Sequence, residues 1–164
     1  ERGKKIAWIG NINDAKTVET ALLVLAELPR DYSLYVVGKS IINWRRAYME
    51  DYIQRNKLNV ELYDSVENIN EFLEDKDFLL HTSKKEAFSF VIGESCAKGI
   101  KPIIHHFYGA ENVWPEEWLW DTVSQATKMI LEDKYEPNVY YQYIKENYPF
   151  EVMLQRYNEI LSSK

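Results

Sequence analysis

Apolar and polar positions along the chain fall into two alternating kinds of run. Short, nearly unbroken apolar stretches occupy residues 5–10, 34–38, 60–63, 77–81 and 102–105, and the first two close on glycine. Runs of this length and continuity predict strands whose faces are both covered. Between them the apolar positions recur at helical spacing. Val18, Ala21, Leu22, Leu25 and Leu28 form one stripe, and Pro29 stops it. Trp44, Ala47, Tyr48 and Tyr52 predict a second helix with the intervening charges on its wet face. Residues 69–73 predict a short helix, and residues 90–98 another. On the latter, the small residues Gly93, Cys96 and Ala97 share a face suited to lying close on a sheet, and Gly99 fits the left-handed position after the helix. The remainder is helical: Val123, Ala126 and Ile130; Tyr140, Tyr141, Ile144 and Tyr148; Met153, Tyr157 and Ile160. Pro137 and Pro149 stand where helices begin.

Strands alternating with helices predict an α/β fold, a Rossmann-like doubly wound parallel sheet with helices on both faces and a helical C-terminal tail. The expected strand order is 3-2-1-4-5, with room for a sixth short strand. Residues 1–164 are expected to form a single domain. In such sheets a ligand lies beyond the carboxyl ends of the strands, where the order reverses. That places the crevice between strands one and four, beside the loops at residues 10–16 and 82–89. Those loops hold the most polar chemistry of the chain.

Composition narrows the classes. With 46% hydrophobic and 28% charged residues, the chain is that of a folded globular protein. The net charge of −6 argues against a nucleic-acid partner. The single cysteine, Cys96, excludes an internal disulfide and a cysteine metal cluster, so a reducing compartment, the cytoplasm, is expected. No apolar run is long enough to span a bilayer. The sequence opens at Glu1 without methionine, which reads as a piece of a longer protein.

The site chemistry follows from the two loops. The backbone N–H groups of Ser89, Phe90 and Val91, at a helix start, form an anion seat. Lys16 adds a full positive charge from the facing loop, and the pair suits a phosphate or diphosphate. Ser89 reads equally well as an ordinary N-cap. The carboxylates are expected to stand apart from the phosphates, because an acid repels them but accepts well from hydroxyls. Glu94 would then hold a ribose and Glu86 a second sugar; both also read as ordinary surface acids. His105 and His106 point to opposite faces of a strand and do not suit one metal ion. Trp114, Trp118 and Trp120 read as core beneath the C-terminal helices, or as stacking surfaces for sugar rings.

These residues resemble a known family. Glu86-Ala87-Phe88 through Glu94, followed by Ser95-Cys96-Ala97-Lys98-Gly99 and the apolar strand, resembles the signature of retaining GT-B glycosyltransferases, glycosyltransferase family 4 in particular. Ser83 matches a serine before the first glutamate, and Gly10 and Lys16 match the first strand-loop unit. The resemblance covers the carboxyl-terminal, donor-binding half of such an enzyme; the amino-terminal acceptor domain is absent. It implies that Lys16 and the amides from Phe88 to Val91 hold the diphosphate of a nucleotide-sugar donor, that Glu86 contacts the donor sugar, and that Glu94 contacts the ribose. It implies a hexosyltransferase needing no cofactor or metal, whose acceptor is a glycan, a lipid or another molecule, as in polysaccharide biosynthesis. Peripheral membrane association of the full protein is compatible with it, and the isolated fragment is expected to be inactive.

Two positions depart from that pattern. Asn11 stands where the family has arginine, so one diphosphate-binding charge is missing. Ser89 replaces a glycine. Two rival readings follow: half of a GT-B sugar-nucleotide epimerase or hydrolase, with His81, His105 or His106 as base, or a degenerate interaction module.

Overall fold

The computed structural model describes residues 3–40, 43–132 and 134–162; the side chains of residues 43, 150, 153, 156 and 157 lie outside that description. Strand β1 (Lys5–Ile9) leads through helix α1 (Val18–Glu27) to β2 (Ser33–Val37), α2 (Asn43–Asn56), β3 (Val60–Tyr63), α3 (Ile69–Leu73) and β4 (Phe78–His81). Then come α4 (Phe90–Ala97), β5 (Lys101–His105), β6 (Leu119–Trp120), α5 (Val123–Leu131), α6 (Pro137–Asn147) and α7 (Phe150–Ser162). The strands form one six-stranded sheet in the order β3-β2-β1-β4-β5-β6. Every pairing is parallel. This is the Rossmann-like order that the alternation predicts, with the short β6 added beside β5.

The strand pattern sorts the core into two layers. Successive strand residues face opposite sides, so Ile6 and Trp8 pack under α1 and α5 while Ala7 packs under α4. Phe78 and Leu80 go to the first side and Leu79 to the second; Ile103 and Ile104 divide the same way. Each fully buried side chain of this size, Leu22 or Phe78 for example, contributes roughly 1.5–3 kcal/mol by leaving water. The three tryptophans after Gly109 are core: Trp114 and Trp118 lie under α4 and α6, and Trp120 lies on the opposite face. Pro137 is the first residue of α6, where its missing N–H costs nothing. Pro149 directly precedes α7. The side chains of Met153 and Tyr157, expected on the inner stripe of α7, lie outside the described residues.

Two helix faces differ from expectation. On α2, Trp44 is 62% exposed, Tyr48 is 46% exposed, and Ala47 also faces solvent. The buried stripe runs through Arg45 and Met49 to Tyr52 and Ile53. The aromatic spacing imitated a core stripe. The chain instead buries an arginine because Asp14 and Glu19 meet its guanidinium. On α4, Ile92, Ser95 and Cys96 are buried, whereas Ala97 is exposed. Gly93 faces Phe88 and Ile144 of α6 rather than the sheet. Gly99 follows the helix with φ of 74°, the left-handed conformation expected there.

Candidate functional site

The order reverses between β1 and β4, so the segments leaving these strands flank one crevice. From β1 the chain turns out through residues 10–16. The Gly10 N–H donates to the Val37 carbonyl at 3.0 Å. The Gly10 carbonyl lies hard against Gly38, where an added Cβ would come within 1.9 Å of that oxygen. A Cβ on Gly10 itself would meet the Lys16 and Trp8 side chains at ordinary distances of 3.7 and 3.6 Å. The position that tolerates no side chain is therefore Gly38. Asn13 shapes the turn: its side-chain oxygen accepts from the N–H groups of Ala15 and Lys16, each at 3.0 Å. Asn11 is exposed at the start of this turn.

The segment after β4 is laced to this turn. The Lys84 N–H donates to the Ala15 carbonyl at 2.8 Å. Thr82 accepts from the Trp8 indole N–H at 2.8 Å and donates to the Lys16 carbonyl at 2.6 Å. The Thr17 hydroxyl donates to the Thr82 carbonyl. His105 Nδ1 donates to the Ser83 carbonyl from β5 at 3.0 Å. Thus the two loops meet, and Lys16 and Glu86 are brought into direct ion-pair contact. The lysine expected to serve a phosphate is thus paired with the carboxylate expected to serve a sugar.

Glu86 also accepts from His81 Nε2 at 3.3 Å. Its side chain is only 12% exposed. Burial alone would push its carboxyl up, but hydrogen bonds from His81, Lys16 and Ser83 and the Lys16 charge hold it down at about 2. It is therefore a carboxylate under all mild conditions. His81 is pushed below the ordinary histidine value by its burial, against the opposing pull of Glu86. A neutral imidazole donates to a carboxylate through one nitrogen, so Nε2 carries the proton and Nδ1 is left buried without a partner among the described residues.

The expected helix start is confirmed in place but not in kind. Ser89 has φ of 64° and its side chain makes no capping hydrogen bond, so it is not an N-cap of the usual sort. Thr17, at the start of α1, has the same left-handed turn with φ of 44°. The N–H groups of Ser89, Phe90 and Val91 make no backbone hydrogen bond among the described residues. Phe88 is held between the rings of Trp114 and Tyr148, at 5.1 and 4.8 Å. Phe90 is 78% exposed. Glu94 is exposed on the outer face of α4, at the edge of a groove of about 540 Å³ between α4, α6 and α7. It stands on the same helix as the amides but makes no contact with Lys16 or Glu86 among the described residues.

Sequence reasoning passed over Thr82, Thr17 and Trp8, which do the lacing, and gave His81 only to a rival reading. The signal for His81 was a ring nitrogen closing an otherwise apolar strand. His106, another of the three candidate bases, lies at the surface with Glu111 and Asp121 at 3.3 Å from its two nitrogens. Among the described residues, no group of three or more His, Cys, Asp or Glu side chains is arranged to hold a metal ion.

The sheet defines a Rossmann-like domain with a candidate site at the topological switch point. Residues 1–117 match the family described as glycosyl transferases group 1, and the chain belongs to that family. No curated protein matches the chain in sequence. Among solved structures, HepE of Anabaena in complex with UDP-glucose superposes with a TM-score of 0.89 at 17% identity, covering 99% of this chain and 49% of that one. TarM of S. aureus, in a complex that includes UDP, superposes at 0.84 with 14% identity, covering 98% and 36%. The catalytic domain of a cholesterol-α-glucosyltransferase from Helicobacter pylori gives 0.65 at 17% identity, covering 94% and 95%. The likenesses establish the fold. The chain spans 36% of TarM and 49% of HepE. No helix among the described residues is long and apolar enough to cross a membrane.

Proposed function

We propose that this chain is the nucleotide-sugar-binding half of a retaining GT-B glycosyltransferase of the family 4 type. Residues 1–164 act as one donor-binding unit, and an acceptor-binding half completes the cleft. The whole enzyme transfers a sugar from a nucleoside-diphosphate sugar to a glycan, lipid or other acceptor, in the cytoplasm. The observation that carries the reading is the ion pair of Lys16 and Glu86 at the crevice between β1 and β4, in the segment that leads directly into the amides of Ser89, Phe90 and Val91 at the start of α4. HepE is bound to UDP-glucose, which supports uridine diphosphate sugars as the first donors to try.

In this reading the amides and Lys16 hold the diphosphate, with Gly10, Asn11 and Phe88 lining the seat. Glu86 takes hydroxyls of the donor sugar and Glu94 takes the ribose. Departure of the nucleoside diphosphate builds negative charge on its phosphates. Fixed N–H dipoles and one ammonium group stabilise that charge more in the transition state than in the ground state. The charge is supplied by the chain itself, and no metal is invoked. Asn11 contributes a neutral amide where a charged one is usual, so the seat relies the more on Lys16.

The hydrolase or epimerase reading needs an accessible base. His81 Nδ1 is buried, which disfavours that residue. The test is calorimetric titration of the chain with UDP and UDP-glucose, then with the Glu94→Ala variant. Loss of a hydrogen bond to a carboxylate should weaken binding by about 1.5–3 kcal/mol. Unchanged affinity removes Glu94 from the site, and no binding by the wild-type chain overturns the donor reading.

A further inference from the structure

His81 is an imidazole of the crevice that the proposed reaction leaves without a role. It closes β4, is 5% exposed, and sets its ring edgewise against Phe107 at 5.7 Å between centroids. Its Nε2 meets the same Glu86 oxygen that accepts from Lys16. Its Nδ1 is buried and has no partner among the described residues. The titratable groups that face it are Glu86, Lys16 and His105. A strand position ending in a buried polar ring costs free energy unless the ring is used.

Lys16 and His81 differ in how firmly they can hold the carboxylate. Lys16 is 27% exposed, on a loop, at the end of a flexible four-carbon stem. An arriving diphosphate competes with Glu86 for it. The imidazole has two rotatable bonds, and both its strand and its ring neighbour are buried. We propose that His81 is the positioning residue of Glu86: its Nε2–H keeps the carboxylate aimed at the donor sugar when Lys16 transfers to the diphosphate. The sugar-facing role rests on the reading of Glu86 given above; the contact itself does not. His81 meets Oε1, so its hold leaves the second oxygen to other donors, Ser83 or a hydroxyl of the sugar.

The experiment needs no nucleotide. Carbon-detected NMR follows the titration of the Glu86 carboxyl in the wild-type chain, in His81→Leu and in His81→Gln. Leucine fills the site without a donor; glutamine restores an N–H near the Nε2 position. The expected result is a rise of about one to two pH units in the Glu86 midpoint for H81L, the size of one hydrogen bond to a charged group. In H81Q most of that rise should disappear. An unmoved midpoint in H81L, or no recovery in H81Q, overturns the proposal. Because either variant could fail to fold, the wild-type imidazole is also read directly. Its nitrogen shifts at neutral pH should give the Nε2–H tautomer, and the Nδ1–H tautomer would overturn the proposal by itself. Failure of UDP to bind the wild-type chain would remove the donor reading, while these titrations still decide what His81 does to Glu86.

Discussion

Lys16 and Glu86, seventy positions apart in the chain, are ion-paired across the rim between β1 and β4. The cation proposed for the diphosphate is therefore held by the carboxylate proposed for the sugar. Donor binding must draw the ammonium away from its partner. Replacing Glu86 by Gln removes the competing charge and leaves Lys16 in place. UDP should then bind more tightly by up to about fivefold, because partly exposed pairs of this kind are worth roughly 0.2–1 kcal/mol. Calorimetric titration of the Glu86→Gln chain measures this. Weaker binding would mean that the carboxylate supports the nucleotide directly rather than competing with it.

The same carboxylate predicts how the fold responds to acid. Glu86 lies at about 2 in the folded chain against an ordinary value of 4.5. Across that interval the unfolded chain binds the proton and the folded chain does not. The stabilisation is fully present above 4.5 and is lost as pH falls towards 2, by up to about 3 kcal/mol. His81, pushed down by burial, acts in the same sense from the ordinary histidine value of 6.5 downwards. Urea unfolding at a series of pH values should show a steeper acid loss for the wild-type chain than for Glu86→Gln. Equal slopes would remove Glu86 from the acid response.

What the sequence disclosed depended on how local the physics was. The strands were legible because a parallel sheet buried on both faces leaves unbroken apolar runs, and the switch point followed from their order. Gly99 was legible because a left-handed residue after a helix favours glycine. The buried face of α2 was not, since Arg45 becomes a core residue only when Asp14 and Glu19 come to it from other elements. Nor was the demand on Gly38, which arises from a carbonyl 28 positions earlier in the chain at Gly10. The seat of Lys16 and Glu86 could be placed at one crevice, but not that the two would touch. That contact is set by Thr82 and Thr17, whose hydroxyls carry no motif.

Ser89 enters α4 with φ of 64° and no capping bond. For a residue with a Cβ this conformation costs roughly 1 kcal/mol, and glycine adopts it freely. Ser89→Gly should therefore stabilise the chain by up to about 1 kcal/mol, after the greater freedom of glycine in the unfolded state is subtracted. Ser89→Val should lose more than that, since a branched side chain is least at home there. Thermal unfolding of the two variants provides the check. A glycine variant less stable than the wild type would show that the serine side chain earns its place through a contact of its own.

Thr82 is the knot of the two loops. Its hydroxyl accepts from the Trp8 indole at 2.8 Å and gives its own proton to the Lys16 carbonyl at 2.6 Å. Valine has nearly the same shape but neither function. Thr82→Val leaves the Trp8 N–H buried without an acceptor, at a cost of about 1–3 kcal/mol. It also frees the Lys16 carbonyl, so the turn that carries the ammonium loses one of its ties and keeps those through Asn13, Thr17 and the Lys84 bond to Ala15. Two effects should separate. Stability falls in Thr82→Val and is largely kept in Thr82→Ser, which retains the hydroxyl. The Trp8 indole N–H, protected from solvent exchange in the wild-type chain, should exchange faster in the valine variant alone. UDP affinity should fall with it, because a looser turn loses orientation of Lys16 before it loses the charge. If indole protection persists in Thr82→Val, Trp8 has another acceptor and the loops are joined by other bonds.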